Sequence, residues 1–276
     1  MQKIIIGSRG SKLALKYAEI AKKAFLKELD IEIEIKKITT DGDLILDRRT
    51  SEIGGKGEFI KNIEKELISK NIDIAVHSLK DVPSIKTNGL RMECFLKRND
   101  PQEVLINKEN LTLNKIKKNS VIGTSSLRRE FQLKHLRPDL KFKLIRGNID
   151  TRIKKLDEDQ YDSIILAKAG LVSLSIENRI SEVFECKKIV PPAGQGTIVL
   201  QSREDDDKIN SILSKINHFE TSIEAKVERK MDTHKTIKKT NLINILIAKL
   251  PSSEQKRCSF CSMRIMMISS HTMTWL

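Results

Sequence analysis

Lys3-Ile4-Ile5-Ile6-Gly7-Ser8-Arg9-Gly10-Ser11 and Ser120-Val121-Ile122-Gly123-Thr124-Ser125-Ser126-Leu127-Arg128-Arg129 are two stretches of one plan, 117 residues apart. Each opens on a short apolar run that reads as a strand, turns at glycine and hydroxyl residues, and ends at a serine placed to cap a helix. After Ser11 the residues Leu13, Leu15, Ala18, Ile20, Ala21, Ala24 and Phe25 keep a rough helical period. Ile31–Ile38 alternates as a half-buried strand, Phe59–Ile68 reads as a helix and Ile72–Val76 as a short apolar strand. After the second stretch a helix runs to His135, followed by a strand over Phe142–Ile145, a helix over Ile149–Leu156 and a buried strand over Ser163–Ala167. Pro191-Pro192-Ala193-Gly194-Gln195-Gly196 is a linker signal, and Thr197–Gln201 and Lys208–Asn217 read as one more strand and helix. Such alternation predicts α/β units with mixed, largely parallel sheets. The domains expected are residues 1–97 with 196–216, residues 102–190, and a third unit over 219–276, with the chain crossing between the first two near 97–102 and 190–196. The cleft between two such lobes is the default ligand site.

The composition narrows the function without naming it. With 276 residues, 39% hydrophobic and 32% charged, the chain has the make-up of a water-soluble protein with more than one core. No apolar run approaches the roughly 20 residues that span a bilayer, and Met1–Gly7 is too short for a secretory leader. A cytoplasmic protein without membrane contact is expected, and a monomer. The net charge of +14 suits an acidic ligand, an anionic surface or nucleic acid. Only 4% of residues are aromatic and no aromatic-basic interleaving occurs, so no nucleic-acid partner is expected. Cys94, Cys186, Cys258 and Cys261 do not form a disulfide framework. The Cys258/Cys261 pair has no second ligand pair at zinc spacing, so no metal is expected.

The candidate chemistry gathers at strand ends. A glycine-serine turn at a helix N-terminus offers backbone N–H groups to an anion, and arginine beside it adds paired donors that match a carboxylate. Either loop alone also reads as a plain serine cap with surface arginines. Arg9, Arg128, Arg129, Arg146 and Arg152 nevertheless all fall at or near the carboxyl ends of expected strands, the edge where open α/β sheets bind ligands. Five cations on one rim would repel each other unless a polyanion sits among them; a solvated basic face is the alternative reading. Ala75-Val76-His77-Ser78-Leu79-Lys80-Asp81-Val82-Pro83 follows another strand and adds one carboxylate, Asp81, which could exchange protons and stabilise a cation. His77 reads as a hydrogen-bonded structural histidine in preference to a base. Ile53-Gly54-Gly55-Lys56-Gly57 fits neither a Walker loop nor a Rossmann fingerprint, and is expected to be a lid.

In order along the chain, Gly7–Leu15, Thr40-Asp41-Gly42-Asp43, Gly54–Gly57, Ala75–Pro83, Gly123–Arg129, Arg146-Gly147-Asn148, Tyr161–Ala167, Ala169-Gly170-Leu171 and Gly194-Gln195-Gly196 resemble the hydroxymethylbilane synthase (porphobilinogen deaminase) family. Asn217–Thr221 and Glu228-Arg229 resemble that family's lead-in to its third domain, so the likeness covers about residues 3–230. The resemblance implies two lobes folded like periplasmic binding proteins plus a small third α/β domain, incomplete here. It implies a covalent dipyrromethane cofactor on a cysteine thiolate of that third domain. Four porphobilinogen molecules would be joined head to tail on it, each with loss of ammonia, and the partners would be porphobilinogen and the growing polypyrrole chain. By matching position, Asp81 would stabilise the cationic azafulvene and shuttle protons. Lys80, Thr124, Ser126, Arg128 and Arg129 would hold the cofactor's carboxylates. Arg9, Ser11, Arg146 and Arg152 would hold substrate and growing chain, with Lys56 on the lid and Gln195 at the hinge.

The likeness stops after Arg229. Where the family carries an apolar pair and then a Gly-x-Cys segment bearing the cofactor, this chain reads Lys230-Met231-Asp232-Thr233-His234-Lys235 with no cysteine in reach. Met231–Leu276 holds five of the seven methionines, the one tryptophan and no glycine. A shifted reading frame is one origin for such a break. A divergent tail with its thiol at Cys258 or Cys261 is another. A catalytically inactive anion-binding module is the alternative to the transferase. Tyr17, where many bacterial relatives have glutamine, is a smaller departure.

Overall fold

The computed structural model describes residues 3–40, 57, 60–83 and 85–233. Lys56 and most of its loop, Asp41–Asp43, Cys258, Cys261 and all of the expected third unit beyond residue 233 lie outside the described residues.

Two five-stranded sheets carry the chain. The first contains β1 (Lys3–Arg9), β2 (Glu32–Ile38), β3 (Ile74–Ser78), β4 (Leu90–Phe95) and β10 (Ile198–Arg203), in the order β2-β1-β3-β10-β4. β2, β1 and β3 are parallel, while β10 enters antiparallel to both β3 and β4. The second contains β5 (Glu103–Ile106), β6 (Val121–Gly123), β7 (Lys141–Lys143), β8 (Ser163–Ala167) and β9 (Glu182–Phe184), in the order β7-β6-β8-β5-β9. It repeats the first: β7, β6 and β8 are parallel, and β5 is antiparallel to β8 and β9. This is the two-lobed α/β architecture with mixed sheets that the sequence called for. The strand expected at 142–145 is shorter and lies at 141–143. The one expected at 72–76 runs on to Ser78, so His77 is a strand residue.

Helices cover both faces of each sheet, so inner strands such as β3, β8 and β10 are buried on both sides, while the edge strands β2 and β7 keep exposed polar positions. In the first lobe α1 (Lys12–Glu28) and α6 (Asp207–Ile216) pack Ala18, Ala21, Phe25, Ile209 and Leu213 on Ile4, Ile6, Ile74 and Leu200. On the other face α2 (Lys61–Ile68) sets Ile63 and Leu67 against Ile38, Ile72, Ala75 and Leu90. In the second lobe α4 (Ile149–Asp157) and α5 (Lys168–Ser173) cover Val104, Ile106, Ile164 and Leu166, while α3 (Leu127–Leu136) covers Leu105, Ile122 and Ile165. Burying a leucine or isoleucine contributes about 1.5–3 kcal/mol, so these clusters hold each sheet rim in place.

Two crossing segments join the lobes and run side by side. Asn99 N donates to Gly196 O at 2.8 Å, and Gln195 Nε2 donates to Pro101 O at 2.6 Å. Gly196 has φ of +83°, and a β-carbon there would stand 2.3 Å from Asn99 O, so only glycine fits this close approach. α7 (Phe219–Thr233), the described part of the expected third unit, is tied to these crossing segments. Arg98 donates to both carboxylate oxygens of Glu228 at 2.8 and 3.1 Å and to Glu224 at 3.1 Å, while its Nε donates to Gln195 O at 3.0 Å. Glu228 also accepts from Gly194 N at 2.7 Å. Arg229 donates to Val82 O and Pro83 O, at 3.2 and 2.6 Å. No helix among the described residues is long and apolar enough to cross a membrane.

Candidate active-site cleft

The βα turns of both lobes open toward one another. At the first, Ser11 caps α1, accepting from Ala14 N at 3.3 Å, and the buried Ser8 hydroxyl donates to Ala14 O at 3.0 Å, which leaves Arg9 at the strand's end. At the second, Ser126 caps α3, accepting from Arg129 N at 3.4 Å. Thr124 Oγ1 accepts from Ser126 N at 3.1 Å. After β3, a single 3-10 turn (Leu79–Asp81) carries Lys80 and Asp81 out of the sheet, with Leu79 buried beneath.

Between these turns lies a cleft of about 650 Å³. Asp81 and Lys80 line it from the first lobe with Arg9 and Ser11, and Ser126, Arg128, Arg129, Arg146 and Arg152 line it from the second. Gln195 lines it from the hinge. Thr124 is absent from the lining: it is buried at 1% exposure, and its hydroxyl braces the turn that presents Ser126. Arg152 Nε is spent on Gly147 O at 2.8 Å, so part of its donor set closes its own loop.

The electrostatics follow from crowding. Burial lowers the Arg152 pKa to about 10, with Arg129 and Arg146 adding like-charge repulsion and Asp81 opposing it. Burial also lowers the pKa of Lys80, with Asp81 working against that shift. Arg146 is lowered by burial and then by Arg9 across the cleft. Tyr17 on α1 lines the cleft floor, and burial, then the Asp81 charge, push its phenol up to about 12, while a hydrogen bond with Ser173 of the other lobe acts against this. Lys12 pairs with Asp150 across the mouth at 3.2 Å, an exposed pair of little weight.

Sequence reasoning missed Glu103. It is fully buried at the start of β5, yet one oxygen accepts from Arg128 Nη2 and the other from Arg129 Nη2, the latter at 2.7 Å. Its only sequence signal is a charged residue leading the apolar run Val104-Leu105-Ile106. His77, by contrast, is buried beside the site and not in the main cleft lining. Its Nε2 meets Gln201 Oε1 at 2.9 Å, and Gln201 donates to Glu64 at 2.7 Å. Burial lowers its pKa to about 4. A ring held neutral in a closed network is the structural histidine the sequence suggested.

Comparison with known proteins agrees with this geometry. The family model described as "Porphobilinogen deaminase, dipyromethane cofactor binding domain" matches residues 4–211. A porphobilinogen deaminase of Oceanobacillus iheyensis is 45% identical over 234 residues, covering 83% of this chain and 75% of that protein. One from Chlorobium phaeovibrioides is 43% identical over 234 residues (84% and 75%), and one from Bacillus thuringiensis 45% over 231 (83% and 75%). With the family model over most of the chain and these relatives at 43–45% identity, the chain belongs to the porphobilinogen deaminase (hydroxymethylbilane synthase) family.

Proposed function

We propose that this chain carries out the family's transferase reaction in the interlobe cleft, with Asp81 as the group that stabilises positive charge and moves protons. The observation that carries the reading is the setting of Asp81: an acid on the cleft wall among Lys80 and arginines from both sheet edges, while the other acid of the lining, Asp150, pairs with Lys12 at the mouth. Porphobilinogen carries an acetate and a propionate, so a chain of such units is a polyanion that guanidinium groups hold in pairs. When the amino group leaves as ammonia, the ring and its methylene carry positive charge. A nearby carboxylate stabilises that charge, in a cleft where it costs little reorganisation. Arg9, Ser11, Arg146 and Arg152 are assigned to substrate and growing chain. Lys80, Ser126, Arg128 and Arg129 are assigned to the cofactor's carboxylates, with Thr124 supporting Ser126 from behind.

The residues present fit the acidic half of a dipyrromethane. Arg129 Nε is a buried donor with no acceptor among the described residues, the state expected of a group that meets a ligand oxygen. When bound, that cofactor supplies the nucleophilic pyrrole carbon on which the chain grows. The thiol half finds no match among the described residues. Cys94 sits in the first lobe's core, its thiol pushed up to about 12 by burial, and Cys186 does not line the cleft.

Incubation of the purified chain with porphobilinogen tests the proposal. Ammonia release, with formation of coloured porphyrin on oxidation, is expected for the parent protein and is expected to vanish in Asp81→Asn while the circular dichroism spectrum is retained. Undiminished ammonia release by Asp81→Asn removes that residue from the mechanism. Binding without ammonia release by the parent protein is the result for a non-catalytic anion-binding module.

A further inference from the structure

We propose that Glu103 is a positioning residue that holds the Arg128–Arg129 pair in the orientation that receives the ligand's carboxylates; this rests on the functional reading above. Neighbouring guanidiniums in a poorly hydrated cleft repel each other, and two long side chains lose much of their freedom when a ligand orders them. A fixed internal anion addresses both problems before any ligand arrives.

Four observations converge on this role. Glu103 is held rigidly, because β5 pairs on both sides, with Ala167 of β8 and Phe184 of β9 opposite it. Its two oxygens are divided between the two arginines, one each. Each arginine is held at a second point by a backbone carbonyl, Val190 O for Arg128 and Ile165 O at 3.0 Å for Arg129. Both arginines still line the cleft, and Arg129 Nε keeps a donor that no described residue satisfies. Burial alone would favour the protonated acid, but Arg129, Arg128 and then Lys80 outweigh it, so Glu103 stays ionised. Lys80 belongs to the first lobe, so the same carboxylate also attracts the partner wall of the cleft.

The role predicts an effect opposite in sign to simple charge bookkeeping. Removing an anion from a cationic cleft raises its positive field and, by that alone, tightens anion binding. Losing the order of the two arginines weakens it. The experiment is calorimetric titration of a free dipyrromethane bearing acetate and propionate side chains into the full chain at constant ionic strength, comparing the parent with Glu103→Gln, Glu103→Asp, Arg128→Gln and Arg129→Gln. Glu103→Gln is expected to weaken binding by about tenfold or more, as for loss of a preorganising group, and Glu103→Asp to recover most of that loss. Unchanged or tighter binding by Glu103→Gln overturns the proposal. If the arginine variants also bind as the parent does, or the parent does not bind, the cleft assignment itself fails, and this proposal with it.

A measurement on the parent protein decides the matter if Glu103→Gln does not fold. Guanidinium NMR of the ligand-free chain is expected to show slow rotation about Nε–Cζ for Arg128 and Arg129, with separate Nη signals. Rapidly averaged signals for both residues overturn the proposal.

Discussion

His77 gives this protein a calculable weakness toward acid. The ring is 6% exposed, bonded to Gln201 at 2.9 Å, and near both Arg9 and Asp81. Burial is the main cause that holds its folded pKa at about 4, against an ordinary value of 6.5. The unfolded chain therefore takes up a proton at higher pH than the folded one. Stability present above the unfolded value is lost as pH falls from there toward the folded value. At about pH 5 the unfolded histidine is almost fully protonated and the folded one hardly at all, which costs about 2 kcal/mol; below the folded pKa the loss reaches about 3 kcal/mol. The assay is urea unfolding at about pH 7.5 and about pH 5, for the parent and for His77→Gln, whose amide can still donate to Gln201. Carboxylates titrating in this range contribute to both proteins and cancel in the difference. The parent is expected to lose about 2 kcal/mol more than the variant. Equal losses would refute the claim that His77 is held neutral by burial. Because β3 carries His77 and then Lys80 and Asp81, the same titration loads the strand that delivers the site.

Further outcomes are expected at the hinge and the chain's end. Arg98→Gln removes the paired contact to Glu228 and the bond to Glu224, leaving two partly buried carboxylates without their cation; a loss of about 2–4 kcal/mol is expected in denaturant unfolding, with faster proteolysis near α7. Gly196→Ala forces a β-carbon onto Asn99 O at positive φ, and a fall in melting temperature of several degrees or failure to fold is expected, checked by calorimetry. Thr124→Val keeps the shape but removes the acceptor for Ser126 N, so weaker dipyrromethane binding is expected in titration calorimetry even though Thr124 does not line the cleft. Translation of the coding DNA in the other two frames beyond the Arg229 codon is expected to reveal a Gly-x-Cys segment; its absence from both frames removes the frame-shift explanation.

Much of the site was legible because its residues follow strands directly. A strand, a glycine-hydroxyl turn and a capping serine are local in sequence, so Arg9, Ser11, Ser126, Arg128 and Arg129 could be placed at a sheet's edge before any fold was known. Asp81 was found for the same reason, three residues beyond Ser78 at the end of β3. Short strands were less legible. β4 (Leu-Arg-Met-Glu-Cys-Phe) lacks clean alternation, and β5 and β9 have four and three residues, too few for a period to show.

The sequence by itself determined the family, the two α/β lobes and the cationic rim, since each depends on motifs that span a few residues and on their order. Only the tertiary structure decided which polar residues face ligand and which serve other residues. Glu103 meets Arg128 and Arg129 because β5 returns antiparallel beside β8, which brings the start of one strand to the carboxyl end of others. Thr124 turned inward, His77 closed on Gln201, and Arg98 reached Glu228 from 130 residues away. Such pairings depend on sheet order and lobe crossing, and no local pattern of residues encodes them.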